Sequence, residues 1–513
     1  MLGQQETQTP LFAYQEQLKK LYPSNHILAK VDKVLDLTWL ESEVKHLYSE
    51  SMGRPSIPPE SIARIMIAGI LLGIVGDRKL EREAQTNYAI RCFAMIGLEK
   101  EPPDHSTLTR VRELWGEEIF ETLFKRVLED CQKAGLVGKS TIHVDSTLIR
   151  ANASIESVVK EYMDDVNKAN KEGSREEQKD VVEEQRDEVK EVQKKDVKKA
   201  ERKCLTDPDA TMARKNRKDK FEPRYKAHVA VDDEHGVVVD VRVTTGCGSE
   251  SRELVEQVQR VEENIGARPE RITADAGYSS GENYRQLEEM GIEPFIVPKK
   301  EAKRGKCFPV QRFKYNNVKQ IVKCLAGKVL RRSYRDSSGW FYTAKVSDCR
   351  ACRLKTQCVS KSQNRRKLHI IDGYDGRLRA WRRKIRQDEQ YTEAMKRHRW
   401  MIEGRHAEAK VVHGMARAQR RGLEQVSIQV YLTAMVMNLK RLVASAFLKL
   451  LRLYRGFSRT LQLPRNIFLS LSQRSARTPR DPYPRRQAGP FSLFSAKQGP
   501  FAQGEKRACA RAI

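Results

Sequence analysis

Apolar residues recur at three- and four-residue spacing from Tyr14 to Gly138, in LKKLY, LTWLESEVKHLY and IFETLFKRVLEDC, so this region is expected to be helical throughout. Ser56 followed by Pro58 and Pro59 marks a helix start just before IARIMIAGILLGIVG, Ile62 to Gly76. That run contains Arg64 and is too short to cross a bilayer comfortably, so it reads as a buried core helix. PPDHSTLTRVRELWG, Pro102 to Gly116, opens a further helix that Asp104 or Ser106 can cap.

A period of two then takes over. STIHVDSTLIRANAS, Ser140 to Ser154, is a β-branched run that rises to Asp145 and breaks off in small polar residues. After a charged stretch over 155–222, expected as a solvated helical insertion, YKAHVAVD and VVVDVRVTTG flank the turn EHG as a hairpin. A helix, SRELVEQVQRVEENIG, leads to a second buried-type strand, RITADAGYSS, in which Asp275 is followed by Ala276 and Gly277. Helix GENYRQLEEMG and strand EPFIVPK complete an alternation that suits a mixed α/β sheet with helices on its faces. His143 and His228, inside strands, read as core histidines.

From 299 to 375 short β-like segments form an expected β-rich insertion. It holds Cys349, Cys352 and Cys358 in a C-x2-C-x5-C arrangement, which reads either as ordinary free cysteines or, with Cys324 upstream as a fourth thiolate, as a structural Zn²⁺ site. RHRWMIEGRHAEAK, Arg397 to Lys410, follows as a helix. At about 3.6 residues per turn, Arg399, Glu403 and Lys410 fall on one face of it. A last amphipathic helix runs from Leu423 with an apolar stripe through Val426, Val430, Met437 and Leu439. Beyond Arg452 the composition turns to Arg, Pro, Ser, Gln and Gly with 13 basic against 2 acidic residues, a tail that is expected to stay disordered and to add nonspecific affinity for a polyanion.

Charge narrows the partners. The 513 residues carry a net charge of +28, so phosphate polyanions are the expected ligands, gained through counterion release. The start MLGQQETQTP lacks an apolar signal region, and ten cysteines without one point to a reducing cytosol and not to disulfides. No GxxxxGK[ST] loop argues for an ATP-driven enzyme, and no serine sits in a nucleophile elbow. Against this background Asp145, Asp275 and Glu403 acquire a joint reading: three carboxylates that gather Mg²⁺ for in-line phosphoryl transfer on nucleic acid, with Arg399 and Lys410 holding phosphates beside them. Thr109, Arg110 and Arg112 on the earlier helix equally suit DNA or an ordinary capped helix.

These segments resemble a known family. Arg399, Glu403 and Lys410 match a Tyr-x2-Arg-x3-Glu-x6-Lys signature of bacterial insertion-sequence transposases of the DDE type, with Lys396 where the tyrosine is expected. HVDSTLIRANAS and ITADAGYSS resemble the family's two aspartate segments, and GRPSIPPE, DRKLEREAQTNYAIRCF and PPDHSTLTRVR its preceding helical domain. The resemblance covers about residues 10 to 450. It implies an RNase H-like catalytic domain over 139–450, a helical DNA-binding domain over 1–138 and a tail over 451–513. It further implies cutting at element ends and joining of 3′-hydroxyls to target DNA with Mg²⁺ or Mn²⁺, in a homodimeric synaptic complex of a cytoplasmic, nucleoid-associated protein. Asp145, Asp275 and Glu403 are then the catalytic metal ligands, and Arg399, Lys410, Arg405, Arg420 and Arg421 the expected DNA contacts. Glu408 is the substitute should Glu403 not be the third acid, and a silent DNA-binding relative or a nuclease without strand transfer is the alternative.

Overall fold

The computed structural model describes residues 22–154, 206–299 and 307–460 apart from positions 50, 52, 54, 98, 216 and 217, together with 158–159 and 203–204. Most of the expected charged insertion and the tail beyond 460 lie outside the described residues. Met1–Lys449 forms one unit and Leu450–Ile513 another, of which only the end of the last helix is described.

The helical pattern of the N-terminal region folds as short helices around one buried one. Helices α1 (Ile27–Asp32) and α2 (Leu40–Val44) precede α3 (Pro59–Leu71), which has 12 of its 13 residues buried. Helices α4 (Asp77–Thr86) and α5 (Tyr88–Phe93) follow. Arg64 is compatible with this interior because its guanidinium meets Asp32 at 2.6 Å and Glu60 at 2.9 Å, which offsets the loss of hydration. Helix α6 (His105–Lys133) is two helical stretches meeting at a kink at Gly116, as the sequence separates them: its φ of 66° and ψ of 179° are non-helical and suit glycine. Asp104 caps it by accepting from the Thr107 amide. The apolar face of α6 merges into the core of the sheet, so the change of pattern near residue 138 is a change of secondary structure inside one continuous core.

Strand β1 (Thr141–Arg150) is the central strand. Beyond the short pair β2 (Val158–Val159) and β3 (Lys203–Cys204) come β4 (Thr211–Ala213), β5 (Glu222–Asp232) and β6 (Val238–Thr245). Helix α7 (Glu250–Ile265), β7 (Arg271–Ala274), α8 (Gly281–Glu289) and β8 (Glu293–Ile296) complete the unit. The sheet order is β5-β1-β7-β8, with β4 and β6 both paired to β5. Strand β1 runs antiparallel to β5 and parallel to β7. Thr211–Ala213 thus belongs to the sheet, although the sequence placed it in the charged insertion.

The β-rich insertion has its own core around Val322, Leu330, Tyr342 and Leu368. It is a five-stranded antiparallel sheet of β9 (Lys314–Asn316), β10 (Ile321–Lys323), β11 (Val329–Asp336), β12 (Gly339–Thr343) and β13 (Lys367–Ile371). Short helices α9 (Val346–Arg350) and α10 (Lys355–Cys358) carry Cys349 and Cys358, with Cys352 in the turn between them. Helix α11 (Tyr374–Arg386) returns the chain to the main sheet, and α12 (Glu389–Ala407) crosses it before a π-helical turn, Glu408–Val412. Helix α13 (Leu423–Thr460) closes the core. None of the described helices is long and apolar enough to cross a membrane.

Candidate active site

Two aspartates stand level because of sheet register. Val144 on β1 is paired with Ala274 on β7 in parallel, so the residues that follow, Asp145 and Asp275, lie side by side. Asp145 does not end its strand, as the sequence suggested: β1 runs on to Arg150, held along its whole length by β5. What ends at Asp145 is the partner. Strand β7 stops at Ala274, and Asp275 caps a tight turn by accepting the Gly277 amide at 2.6 Å. That leaves the β7 side of β1 open as a cleft.

Glu403 reaches the same cleft from α12. A space of about 490 Å³ is lined by Asp145, Asp275 and Glu403 together with Lys384, Lys396 and Arg399. The helix is seated by a buried polar chain: Thr273 Oγ1 lies 2.9 Å from His398 Nδ1 and 2.6 Å from His143 Nδ1, and His143 Nε2 lies 2.8 Å from Asp233. Arg397 donates to that same Asp233, tying the helix to the β5–β6 turn. His143 and His398 are therefore positioning groups. Burial, and after it the neighbouring His143, His406 and Arg399, hold His398 down at about 3, so its ring serves this seat in the neutral form.

A fourth carboxylate, missed in the sequence, lies near the two aspartates. Glu250, the first residue of α7, accepts from Ser146 Oγ at 2.8 Å and from Lys226 Nζ at 3.2 Å, which draws it towards β1 beside Asp145. A β-carbon at Gly277 would overlap Glu250 Oε2, so glycine there permits the approach. Its signal was hidden because an acid in the first turn of a helix is ordinary dipole chemistry. The crowding shows in the protonation of the aspartates. Burial, then the charges of Asp275 and Glu250, push Asp145 up to about 7, and burial with Glu250 raises Asp275. A divalent cation is the natural relief for such a set. Among the described residues no three or more His, Cys, Asp or Glu side chains stand close enough together to hold a metal ion.

The expected cations divide into two groups. Arg399 lines the cleft, as does Lys396 where the family signature has tyrosine. Lys410 lies in the π turn, which breaks the α-helical phase assumed for it, yet its charge still bears on Asp145, as does that of Lys215. His406 Nδ1 stands 3.8 Å from Asp145 Oδ2. Arg405 and Arg420 are half-buried and each is paired with an acid of the protein. Arg405 pairs with Glu408 at 3.4 Å, and Arg420 bonds Asp77 and the Thr109 hydroxyl. Arg421 is exposed and donates to the Asn152 carbonyl at 3.2 Å. In the β-rich insertion Cys324, Cys349, Cys352 and Cys358 all border one small cavity of about 30 Å³. Burial together with the three neighbouring thiols pushes Cys358 up to about 11.

A family model described as a transposase DDE domain matches residues 138–439, and one described as a transposase domain (DUF772) matches residues 16–114. No curated protein matches the chain. Among solved structures, the piggyBac transposase synaptic complex with hairpin DNA is similar at 11% identity and a TM-score of 0.26, over 93% of this chain and 88% of that one. The Mos1 transposase paired-end complex with the left transposon end is similar at 11% identity and a TM-score of 0.15, over 50% of this chain and 65% of that one.

Proposed function

Because the chain belongs to the DDE transposases of insertion sequences, we propose that it cuts DNA at the ends of such an element and joins the freed 3′-hydroxyls to target DNA, with Asp145, Asp275 and Glu403 holding the metal. The observation that carries this reading is the level placement of the two aspartates with Glu403 in the same cleft. The strand order, with an antiparallel hairpin on one side of β1 and parallel strands on the other, fits an RNase H-like core. Family members use divalent metal ions, and Mg²⁺ or Mn²⁺ suits hard carboxylate oxygens here. When bound, such ions would activate a water or 3′-hydroxyl and stabilise the leaving oxygen. The protein's own groups orient the strand: Arg399 and Lys396 meet phosphate from the α12 side, Lys410 and Lys215 from the other, while Glu250 keeps Ser146 and Lys226 in place behind Asp145. The helical region over 1–138 supplies further DNA contacts, and a homodimer brings two element ends together.

The test is incubation of the purified chain and Mg²⁺ with linear DNA carrying the sequences that flank its own gene. Nicks at the ends and joined products are expected. DNA binding without cutting would mark a silent relative, and cutting without joining a nuclease. In the same assay Glu250→Gln is expected to slow single-turnover cleavage about tenfold and to raise the Mg²⁺ requirement, since groups behind metal ligands are typically worth 10- to 100-fold. An unchanged Mg²⁺ titration would remove Glu250 from the site.

The four cysteines of the insertion are proposed as a structural zinc site. About one zinc per chain is then expected by metal analysis of protein purified without chelator, falling in Cys349→Ser with a lower melting temperature. Zinc-free protein with an unshifted melt on adding zinc would leave the cysteines as ordinary thiols.

A further inference from the structure

The solvent face of the five-stranded sheet carries an array that the reaction above does not use. Alternation along the strands puts Tyr342, Leu368 and Leu330 on the buried face, and Phe341 and His369 on the other. On that outer face three rings form a column across β11, β12 and β13. Tyr334 stacks on Phe341 with centroids 4.3 Å apart and planes 16° from parallel, and Phe341 on His369 at 4.4 Å and 9°.

A bulge builds this column. Pairing runs regularly from Arg331 with Thr343 to Arg332 with Tyr342, then skips Ser333, so that Tyr334 comes to face Phe341. Without the extra residue Ser333 would oppose Phe341, and Tyr334 would turn to the opposite face. Bulges re-aim side chains in this way, and here the result is an aromatic residue left 44% exposed.

The next row is cationic. Arg331 and Lys367 flank Thr343 on the adjacent strands, both exposed, and Lys367 Nζ lies 4.5 Å from the Tyr334 ring centre and 5.4 Å from that of Phe341. Further along the same sheet Lys323 is paired directly with Lys314. Like charges set opposite each other on a sheet repel, and a polyanion lying across them removes that cost. Asp336, which meets His369 at 3.2 Å, is the acid at the end of the ring column.

From the stacked rings beside a row of cations we infer that this face binds a single-stranded segment of DNA, a base stacking on the exposed Tyr334 end of the column that Phe341 and His369 prop from behind, and its phosphates meeting Arg331 and Lys367. The inference rests on the DNA-processing reading, which would supply unpaired strand near a cut end. The rings accept any base, so the site reads strandedness and not sequence.

Binding of a fluorescein-labelled 20-nucleotide oligo(dT) and of a 20-base-pair duplex to the full chain, without added divalent cation, tests this. Tyr334→Ala with Phe341→Ala is expected to weaken oligo(dT) binding by about tenfold or more while duplex binding changes less than about twofold. Tyr334→Phe should bind as the parent does. Should the double variant fail to fold, Tyr334→Ser alone, at a half-exposed position outside the core, gives the same comparison. A 2-aminopurine in the oligonucleotide should lose fluorescence on binding the parent protein and less on binding Tyr334→Ser. Equal losses for both DNA forms, or none for either, overturn the platform. So does a change confined to self-association measured by sedimentation. Failure of the parent protein to bind duplex as well as oligo(dT) would instead remove the DNA-processing reading beneath it.

Discussion

Exchanging Asp145 for asparagine is expected to lower Mg²⁺-dependent strand cleavage by at least about a thousandfold and to make the metal-free protein more stable, not less. The two effects share one cause. Asp145 is held among Asp275 and Glu250 in a partly buried cleft, and its carboxyl ionises in the fold at about 7 against an ordinary 3.8. A folded-state value raised in this way means that the fold prefers the protonated acid. Stability is full below pH 3.8 and is lost as the pH rises from there towards 7. Asparagine stays neutral, so at pH 8 it should recover about 1 to 2 kcal/mol, a figure set below the full shift because water reaches the cleft. A metal reverses the balance. Mg²⁺ should raise the melting temperature of the parent protein and leave that of D145N unchanged. If Asp145 were only a polar residue in a strand, the variant would melt at or below the parent and still cut. Glu403→Gln should share the loss of cutting, and DNA binding should survive in both variants.

The sequence made the acids legible and left their setting obscure, for reasons that particular residues show. Asp145 and Asp275 stood out because each follows a β-branched run, and the parallel register of β1 with β7 gives that pattern its geometry. The strand beyond Asp145 was unreadable because Ser146 and Thr147 look like a strand end, whereas β5 continues to pair with them. Pairing partners far along the chain leave no local mark. The same holds for charge. Arg405 and Arg420 look like phosphate ligands in a basic stretch, and only the fold brings Glu408 to one and Asp77 to the other. Helical phase put Arg399 and Glu403 on one side of α12, and both line the cleft, whereas Lys410 leaves that phase because the π turn inserts an extra residue into the count. The hairpin and the β-rich insertion were plain from strand period and turns, since both are built from neighbours in sequence.

Glu408 supplies the sharpest contrast with Glu403, and replacing it with alanine is expected to cost about 3–5 kcal/mol of stability. Its carboxylate is surrounded: Lys440 at 2.5 Å, Arg441 at 2.8 Å, Arg405 at 3.4 Å and His413 at 3.7 Å. Burial alone would raise its pKa, but hydrogen bonds from His413 and Lys440 and the charges of Lys440 and Arg405 overcome that and bring it to about 2. Removing the acid leaves several half-buried cations facing one another beside α13, where water only partly replaces the lost partner. The direction with pH follows from the depressed value. The contribution is complete above about 4.5 and is lost as the pH falls through about 2, so the melting temperatures of parent and variant should converge in acid. Glu403, which faces the cleft with no such cage, should tolerate glutamine within about 0.5 kcal/mol while losing activity. Thermal melts at pH 7 and cleavage assays on the two variants therefore separate an acid that holds the helices together from one that holds metal. A Glu408→Ala protein with a parental melt and no cleavage would exchange the roles and make Glu408 the third ligand.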